Sequence, residues 1–277
     1  MGASSFHMDN QPFLNNKRNL TTDMTMNFDD VGVVILAAGK GTRMKSDTAK
    51  VLHRVARKSM IVHVVERALE IAPDNVHIVV GHQAERVKEE VSRLHQVHFV
   101  YQKQLLGTGD AVKAAIPGLD PGIKDVLVLC GDVPLIKEKT LRELVHMHKK
   151  TDSAVTVLAT EVNDPKGYGR IVLDPHNHLL YIREEADADP DEKQIKKVNT
   201  GIYCFDKDLL FNALNEISPE NSQGEYYLTD VVEIAQRKGQ KITVVTTRDS
   251  NQVMGVNTLE ELDRAEYLMQ RVEDELP

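Results

Sequence analysis

From residue 31 onward, short apolar runs rich in β-branched residues alternate with windows whose apolar positions recur at helical spacing. This alternation narrows the possible folds more than any other feature of the chain. An apolar run without polar alternation suits a strand covered on both faces, and intervening helices are what cover it. Strands are expected at 31–36 (VGVVIL), 76–80 (VHIVV), 97–102 (VHFVYQ) and 125–130 (DVLVLC). Helices are expected at 59–71, with Ser59 as N-cap, at 84–94, at 108–116, where Pro117-Gly118 stops it, and at 139–149. The expected fold is therefore α/β, Rossmann-like and doubly wound, with a mixed, mostly parallel sheet. Beyond it, YGRIVLD, HLLYIRE and NTGIYCF follow one another with turn signals such as DPHN and DADPDE between them, which predicts a smaller β-rich half with locally paired strands. Helices at 207–217 and 226–238, the strand KITVVTT and a helix from about 258 complete the chain. A ligand of such a sheet sits at the carboxyl ends of the parallel strands, where the strand order reverses.

The 277 residues carry 34 Lys and Arg against 42 Asp and Glu, a formal charge of −8. A field of that sign repels nucleic-acid phosphates and anionic lipid, so neither is expected as a partner, and an anionic ligand needs a local patch of cations. The longest apolar run is far short of the ~20 residues that cross a bilayer. Cys130 and Cys204 are the only cysteines, each inside a β-like run with no second Cys at metal or redox spacing. They read as reduced core thiols of a cytoplasmic protein. Residues 1–30 lack a basic start and an apolar h-region, and are expected to be a disordered tail or an appended leader. That leaves 31–257 as the folded domain and 258–277 as a C-terminal helix.

The turn after the first run is where the needed cations lie. In a doubly wound sheet this turn aims backbone N–H groups at the ligand crevice, and glycines allow close approach to phosphate oxygens. Gly39 and Gly41 fit that use, with Lys40, Arg43 and Lys50 around them. The spacing matches neither G-x-G-x-x-G, since Met44 stands at the third glycine, nor a P-loop. On the turn alone, a glycine turn whose cations face water serves equally well.

The whole stretch LAAGKGTRM followed by KVL resembles the signature of sugar nucleotidyltransferases, which join a sugar 1-phosphate to an NTP and release pyrophosphate. Further pieces occur in matching order: QKQLLGTGDA (102–111), GDVPL (131–135), DPKGYGRI (164–171), VNTGIY (198–203), GEYYLTD (224–230) and GVN (255–257). Together they resemble the uridyltransferase domain of the bacterial bifunctional N-acetylglucosamine-1-phosphate uridyltransferases. The resemblance implies transfer of a uridylyl group from UTP to N-acetylglucosamine 1-phosphate, by in-line attack at the α-phosphorus, in the supply of precursors for cell wall biosynthesis. Both reactants are anions, and two unit charges ~4 Å apart repel by roughly 4 kcal/mol at an effective dielectric near 20. Charge neutralisation and alignment therefore carry the catalysis, and the ionised acceptor phosphate needs no general base.

In that family's terms, Arg43 braces the β- and γ-phosphates and Lys50 contacts phosphate oxygens near the reaction centre. Asp132 and Asn257 ligate Mg²⁺. Leu36, Ala37, Ala38, Gly39, Gly41 and Thr42 border the nucleotide, and Gln102, Gly107 and Thr108 recognise its base. Gly131, Gly169, Glu184, Asn199, Tyr227 and Thr229 line the sugar. Without the resemblance, Lys50 reads as a surface lysine, Asp132 as a turn cap and Glu184 as one carboxylate of a solvated acidic loop. Leu105 stands where the family usually has a second glutamine, and Ala186 where a lysine is common. These departures keep a glucose-1-phosphate uridylyl- or thymidylyltransferase as an alternative, with a non-catalytic nucleotide-sugar sensor behind it. Cys130, often Tyr in relatives, is assigned no role. The hexapeptide-repeat acetyltransferase domain of the bifunctional relatives has no counterpart here, so a monomer or weak oligomer without acetyl transfer is expected. The pairs His146/His148 and His176/His178 have H-x-H spacing but no third ligand nearby, and read as unrelated histidines rather than zinc ligands.

Overall fold

The structure, a computed structural model, describes residues 28–274. It opens with β1 (Val31–Ala37), two single-turn 3₁₀ helices at Thr42–Met44 and Lys50–Leu52, and a short hairpin of β2 (Arg54–Val55) and β3 (Lys58–Ser59). Then come α1 (Met60–Leu69), β4 (Val76–Val80), α2 (Ala84–Ser92), β5 (His98–Tyr101), α3 (Thr108–Ala115), β6 (Asp125–Cys130) and α4 (Glu138–Thr151). The second half contributes β7 (Val155–Glu161), β8 (Arg170–Leu173), β9 (Leu179–Arg183), β10 (Lys197–Asp206), α5 (Lys207–Leu214), α6 (Asp230–Arg237), β11 (Ile242–Thr247) and α7 (Leu259–Asp274).

The main sheet runs β11-β7-β10-β6-β1-β4-β5, with the β8–β9 hairpin attached to β10. Along this path only β10 is antiparallel to its neighbours, so the expected mixed, mostly parallel sheet is what forms. Successive residues of β1 face opposite sides: Val33 and Ile35 pack with α1, α2 and α4, whereas Val34 packs with α3, α5 and α6. Each such side chain, fully withdrawn from water, contributes roughly 1.5–3 kcal/mol. A third apolar cluster, Val55, Met60, Met254, Val256 and Ala265, seats α7 against the β2–β3 hairpin. The chain leaves β1 in one direction for β4 and returns on its other side as β6, so the crevice between their carboxyl ends is the reversal point.

Several boundaries differ from the sequence reading for physical reasons. Phe28 is buried in the core and Asp30 accepts an ion pair from Lys149 at 2.6 Å, so the fold includes residues assigned to the tail. Residues 1–27 lie outside the described residues. The helix expected from 226 begins at Asp230, because backbone groups of Tyr226 bond instead to the loop at 106–109. Ser59 takes the N-cap position of α1 with extended backbone, but its hydroxyl makes no capping bond and is buried without a partner. The interior strand β7 has no expectation in the sequence reading: it is buried on both faces, but Thr156, Ala159 and Thr160 interrupt the continuous apolar run by which such a strand is recognised.

Candidate active site

The loop after β1 crosses over the segment that carries Lys50. Gly41 has φ 62, and a Cβ there would stand 2.4 Å from Lys50 Cβ, so only glycine fits. Gly39 is exposed and a Cβ on it would meet nothing within 4 Å, so its own packing does not demand a glycine. Thr42 and Arg43 are exposed on the 3₁₀ turn, while Leu36, Ala37 and Ala38 form the floor, with the Leu36 carbonyl accepting Gly131 N–H at 2.9 Å. Gln83, itself in left-handed backbone at φ 53, accepts Ala49 N–H at 3.1 Å and donates to the Asp47 carbonyl, clamping the approach to Lys50.

From this loop the Lys50 ammonium reaches Asp132 Oδ2 at 2.5 Å and Asn257 Oδ1 at 2.9 Å, and Arg43 Nη2 donates to the same Asn257 oxygen at 2.8 Å. Residues up to 214 positions apart thus meet at the carboxyl edge of the sheet. β6 delivers Asp132, whose carbonyl accepts Val256 N–H at 2.9 Å and so fixes the segment bearing Asn257. On the other side, Glu261 accepts N–H bonds from Asn257 at 2.6 Å and Thr258 at 3.0 Å while Thr258 Oγ1 accepts Glu261 N–H, a capping box at the start of α7. Asp132 Oδ2 and Asn257 Oδ1 are hard oxygens already facing one cation, the donor type that Mg²⁺ takes.

The residues expected to recognise the base gather around the loop at 106–109. Gln102 is buried at the end of β5, and its Nε2 donates to the Gly107 carbonyl at 3.1 Å and to Asp110 Oδ2 at 2.8 Å. Gly107 has φ 118, and a Cβ there would lie 2.6 Å from the Tyr226 carbonyl. Around it, Tyr226 N–H donates to Leu106 O at 2.7 Å, Gly109 N–H to Tyr226 O at 2.8 Å and Leu228 N–H to Thr108 Oγ1 at 3.0 Å. Leu105 is exposed, and its side chain lies over Gly81.

Gly169, Glu184, Asn199 and Thr229 form a separate group. Thr229 Oγ1 donates to Glu184 Oε1 at 3.0 Å instead of capping its own helix, and Asn199 N–H donates to Gly169 O at 2.8 Å. A Cβ on Gly169 would come within 3.4 Å of Glu184 Oε2. Asn199 sits where β10 bulges, and its amide donates to Tyr203 Oη at 2.6 Å. Burial raises the Glu184 carboxyl above its usual range, partly offset by the Thr229 bond. Tyr227 donates to Asp187 Oδ2 at 3.2 Å, and both line a cleft of about 280 Å³ with Glu184 and Asp230. Gly131 is not in this group: it packs between Leu36, Val51 and Ile61, next to Asp132. Cys130 lies between the two regions, its Sγ 3.4 Å from Gly201 O and its thiol pushed up to about 12 by burial first and by the Asp132 and Glu184 charges. A larger depression, about 340 Å³, lies between Phe28, Ile71 and Arg142 at the opposite end of the strands.

His148 proves to be a core residue, bonded to Thr156 Oγ1 at 2.9 Å and near Asp125. Among the described residues no cluster of three or more His, Cys, Asp or Glu is arranged for a metal, and no helix is long and apolar enough to cross a membrane. Asp110, Gln83 and Glu261 escaped the sequence reading. Only Glu261 carried a local signal, the Thr-x-x-Glu spacing.

The nucleotidyl transferase family model matches residues 32–252. The bifunctional protein GlmU of Geobacter metallireducens is 44% identical over 248 residues, 89% of this chain and 52% of the relative. The one from Streptococcus sanguinis is 45% identical over 238 residues, 86% of this chain and 51% of the relative. The chain spans about half the length of these relatives. Among solved structures, a UDP-glucose pyrophosphorylase complexed with UDP-glucose aligns with TM-score 0.70 at 19% identity, covering 87% of this chain and 98% of that one. A Bacillus anthracis protein described as a glucose-1-phosphate thymidylyltransferase aligns with TM-score 0.65 at 22% identity, covering 86% and 94%. At these identities the likeness is one of fold.

Proposed function

Because this chain belongs to the nucleotidyl transferase family, we propose that it transfers the uridylyl group of UTP to N-acetylglucosamine 1-phosphate in the cytoplasm, releasing pyrophosphate and UDP-N-acetylglucosamine. The observation that carries the proposal is the meeting of Arg43, Lys50, Asp132 and Asn257 at the reversal point of the sheet. Two phosphorylated reactants repel each other, and this is where the acidic chain concentrates compensating charge.

In this reading Arg43 and Lys50 stay protonated throughout and balance the triphosphate as its charge shifts toward the leaving pyrophosphate. Asp132 and Asn257 would hold Mg²⁺, because their oxygens already face a common cation. Bound there, the ion would neutralise and orient phosphate oxygens. Gln102 and the Gly107–Thr108 turn take the base. Glu184, Asn199, Tyr227 and Thr229 take the acceptor sugar, and the Thr229 hydroxyl reserved for Glu184 holds that carboxylate in place. Leu105 and Ala186 keep a glucose-1-phosphate uridylyl- or thymidylyltransferase as the second reading.

The test is pyrophosphate release with Mg²⁺ across UTP, dTTP and other NTPs against N-acetylglucosamine, glucose and galactose 1-phosphates. UTP with N-acetylglucosamine 1-phosphate is expected to give the highest kcat/KM, and EDTA to abolish it. Arg43→Ala is expected to lower kcat about 100-fold while leaving the acceptor KM within about threefold. A different best pair reassigns the substrates, and no release from any pair favours the sensor.

A further inference from the structure

Both N–H bonds of the Gln102 carboxamide are committed within the protein. Its partners, the Gly107 carbonyl at 3.1 Å and the Asp110 carboxylate at 2.8 Å, can only accept, so the amide end facing them is the NH₂. Among the described residues no donor is paired with Gln102 Oε1, nor is an acceptor paired with the backbone N–H of Gly107 or Thr108. Gln102 is 7% exposed and its backbone N–H is anchored to the Val80 carbonyl at 2.9 Å. This leaves the Gln102 acceptor oxygen uncommitted, and with it two uncommitted backbone donors of the turn to which its Nε2 is bonded.

We propose that Asp110 is a positioning residue that locks Gln102 as an acceptor, so that the base site takes pyrimidines with an N–H at ring position 3 and rejects cytosine. Uracil and thymine carry an imide N3–H that matches Oε1, flanked by carbonyls that match backbone N–H groups. Cytosine presents a bare N3 acceptor at the same place and would need the carboxamide turned around. Turning it would set Oε1 against the Asp110 carboxylate, two acceptors in hydrogen-bond contact. The charge-assisted bond from Gln102 to Asp110 is the stronger of the two restraints, since the Gly107 carbonyl is neutral and farther. The thymine methyl does not enter this selection, so the device sorts imides from cytosine and leaves UTP against dTTP to other contacts. This inference rests on the reading of Gln102 as the base contact.

Titration calorimetry of UTP and CTP binding, with Mg²⁺ and without acceptor sugar, tests it independently of turnover. The wild type is expected to bind UTP about 30-fold or more tightly than CTP. Asp110→Leu, which removes the acceptor, is expected to shrink that ratio at least about tenfold. Asp110→Asn, whose Oδ1 still accepts, is expected to keep it within about threefold. Thermal melts check folding, and Asp110→Ala replaces the leucine variant if that one does not fold. Equal weakening of UTP and CTP in Asp110→Leu and Asp110→Ala, with the ratio unchanged, overturns the inference and leaves Asp110 a structural role. The Gln102→Leu variant separates the two levels: if it binds UTP as tightly as the wild type, the base contact itself is wrong.

Discussion

The ends of the crevice proposed to hold phosphate and sugar, its phosphate end and its sugar end, solve the burial of polar groups in opposite ways. At the phosphate end, Arg43 is exposed and Lys50, Asp132 and Asn257 are partly so, and they satisfy one another across a shared, solvent-reachable point. At the sugar end, Asn199, Tyr227 and Thr229 are buried and each polar group has a private partner: Tyr203, Asp187 and Glu184. Charged groups meant to exchange partners with a polyanion need water and low mutual commitment, because burying them would add a desolvation penalty to every exchange. Hydroxyls and amides meant to measure a neutral sugar gain from being fixed beforehand, since an unmatched buried partner is expensive. The difference predicts that substitutions at the phosphate end reduce rate with little effect on stability, and that the reverse weighting grows toward the sugar end.

The largest expected effect is therefore kinetic. Asp132→Ala should lower kcat by about 10²- to 10³-fold, the scale found when a group that stabilises transition-state charge is removed. Its melting temperature should stay close to the wild type, because the Lys50 pair it breaks is partly exposed and the loop remains tied through the Asp132 backbone carbonyl. Pyrophosphate release and a thermal melt on the same preparation check both halves. A variant that keeps its rate but loses stability would erase the contrast.

Gly107 lies where the loop proposed to take the base meets the segment that leads to Tyr227 and Thr229, and a substitution there should show both behaviours at intermediate size. At φ 118 an alanine is strained, and its Cβ would press on the Tyr226 backbone at 2.6 and 2.7 Å. Gly107→Ala is expected to lower the melting temperature by roughly 5 °C and to raise KM for both nucleotide and sugar phosphate, since the loops at 106–109 and 226–228 separate together. A rise in only one KM would show that the two subsites are independent.

How much of this was legible depends on whether the information is local. The runs that became β1, β4 and β6 could be read directly, because strands buried on both faces are continuous in apolar residues. The start of α6 was misplaced because Tyr226 looks like any helical residue until the loop at 106–109 claims its backbone. Arg43, Lys50, Asp132 and Asn257 were named together only through ordered motifs, since no periodicity links position 43 to position 257. Gln83 was invisible: its clamp depends on a left-handed backbone that nothing in GHQAE demands. Asp110 in the first turn of α3 reads simply as a carboxylate complementing a helix N-terminus.

The smallest expected effect tests the sugar end through protons. Asp230, beside Thr229 in the same cleft as Glu184, has its carboxyl raised to about 6 by burial first and by the neighbouring Glu233 charge. A raised carboxyl pKa means that the folded state holds the proton more tightly than the unfolded chain, whose value is the ordinary 3.8. Below about pH 3.8 both states are protonated and the group contributes nothing; between there and about 6 the unfolded chain ionises first and stability falls; above about 6 the full penalty persists. Asparagine cannot ionise, so Asp230→Asn should melt like the wild type near pH 4 and roughly 2 °C higher at pH 7 to 8, with the difference opening between those limits. The opposing influence is the N-terminus of α6, where an ionised carboxylate is favoured by about 0.3–1 kcal/mol. A melting difference that closes or reverses as pH rises would mean that the helix end outweighs burial, and that the sugar end is less withdrawn from water than its paired hydroxyls suggest.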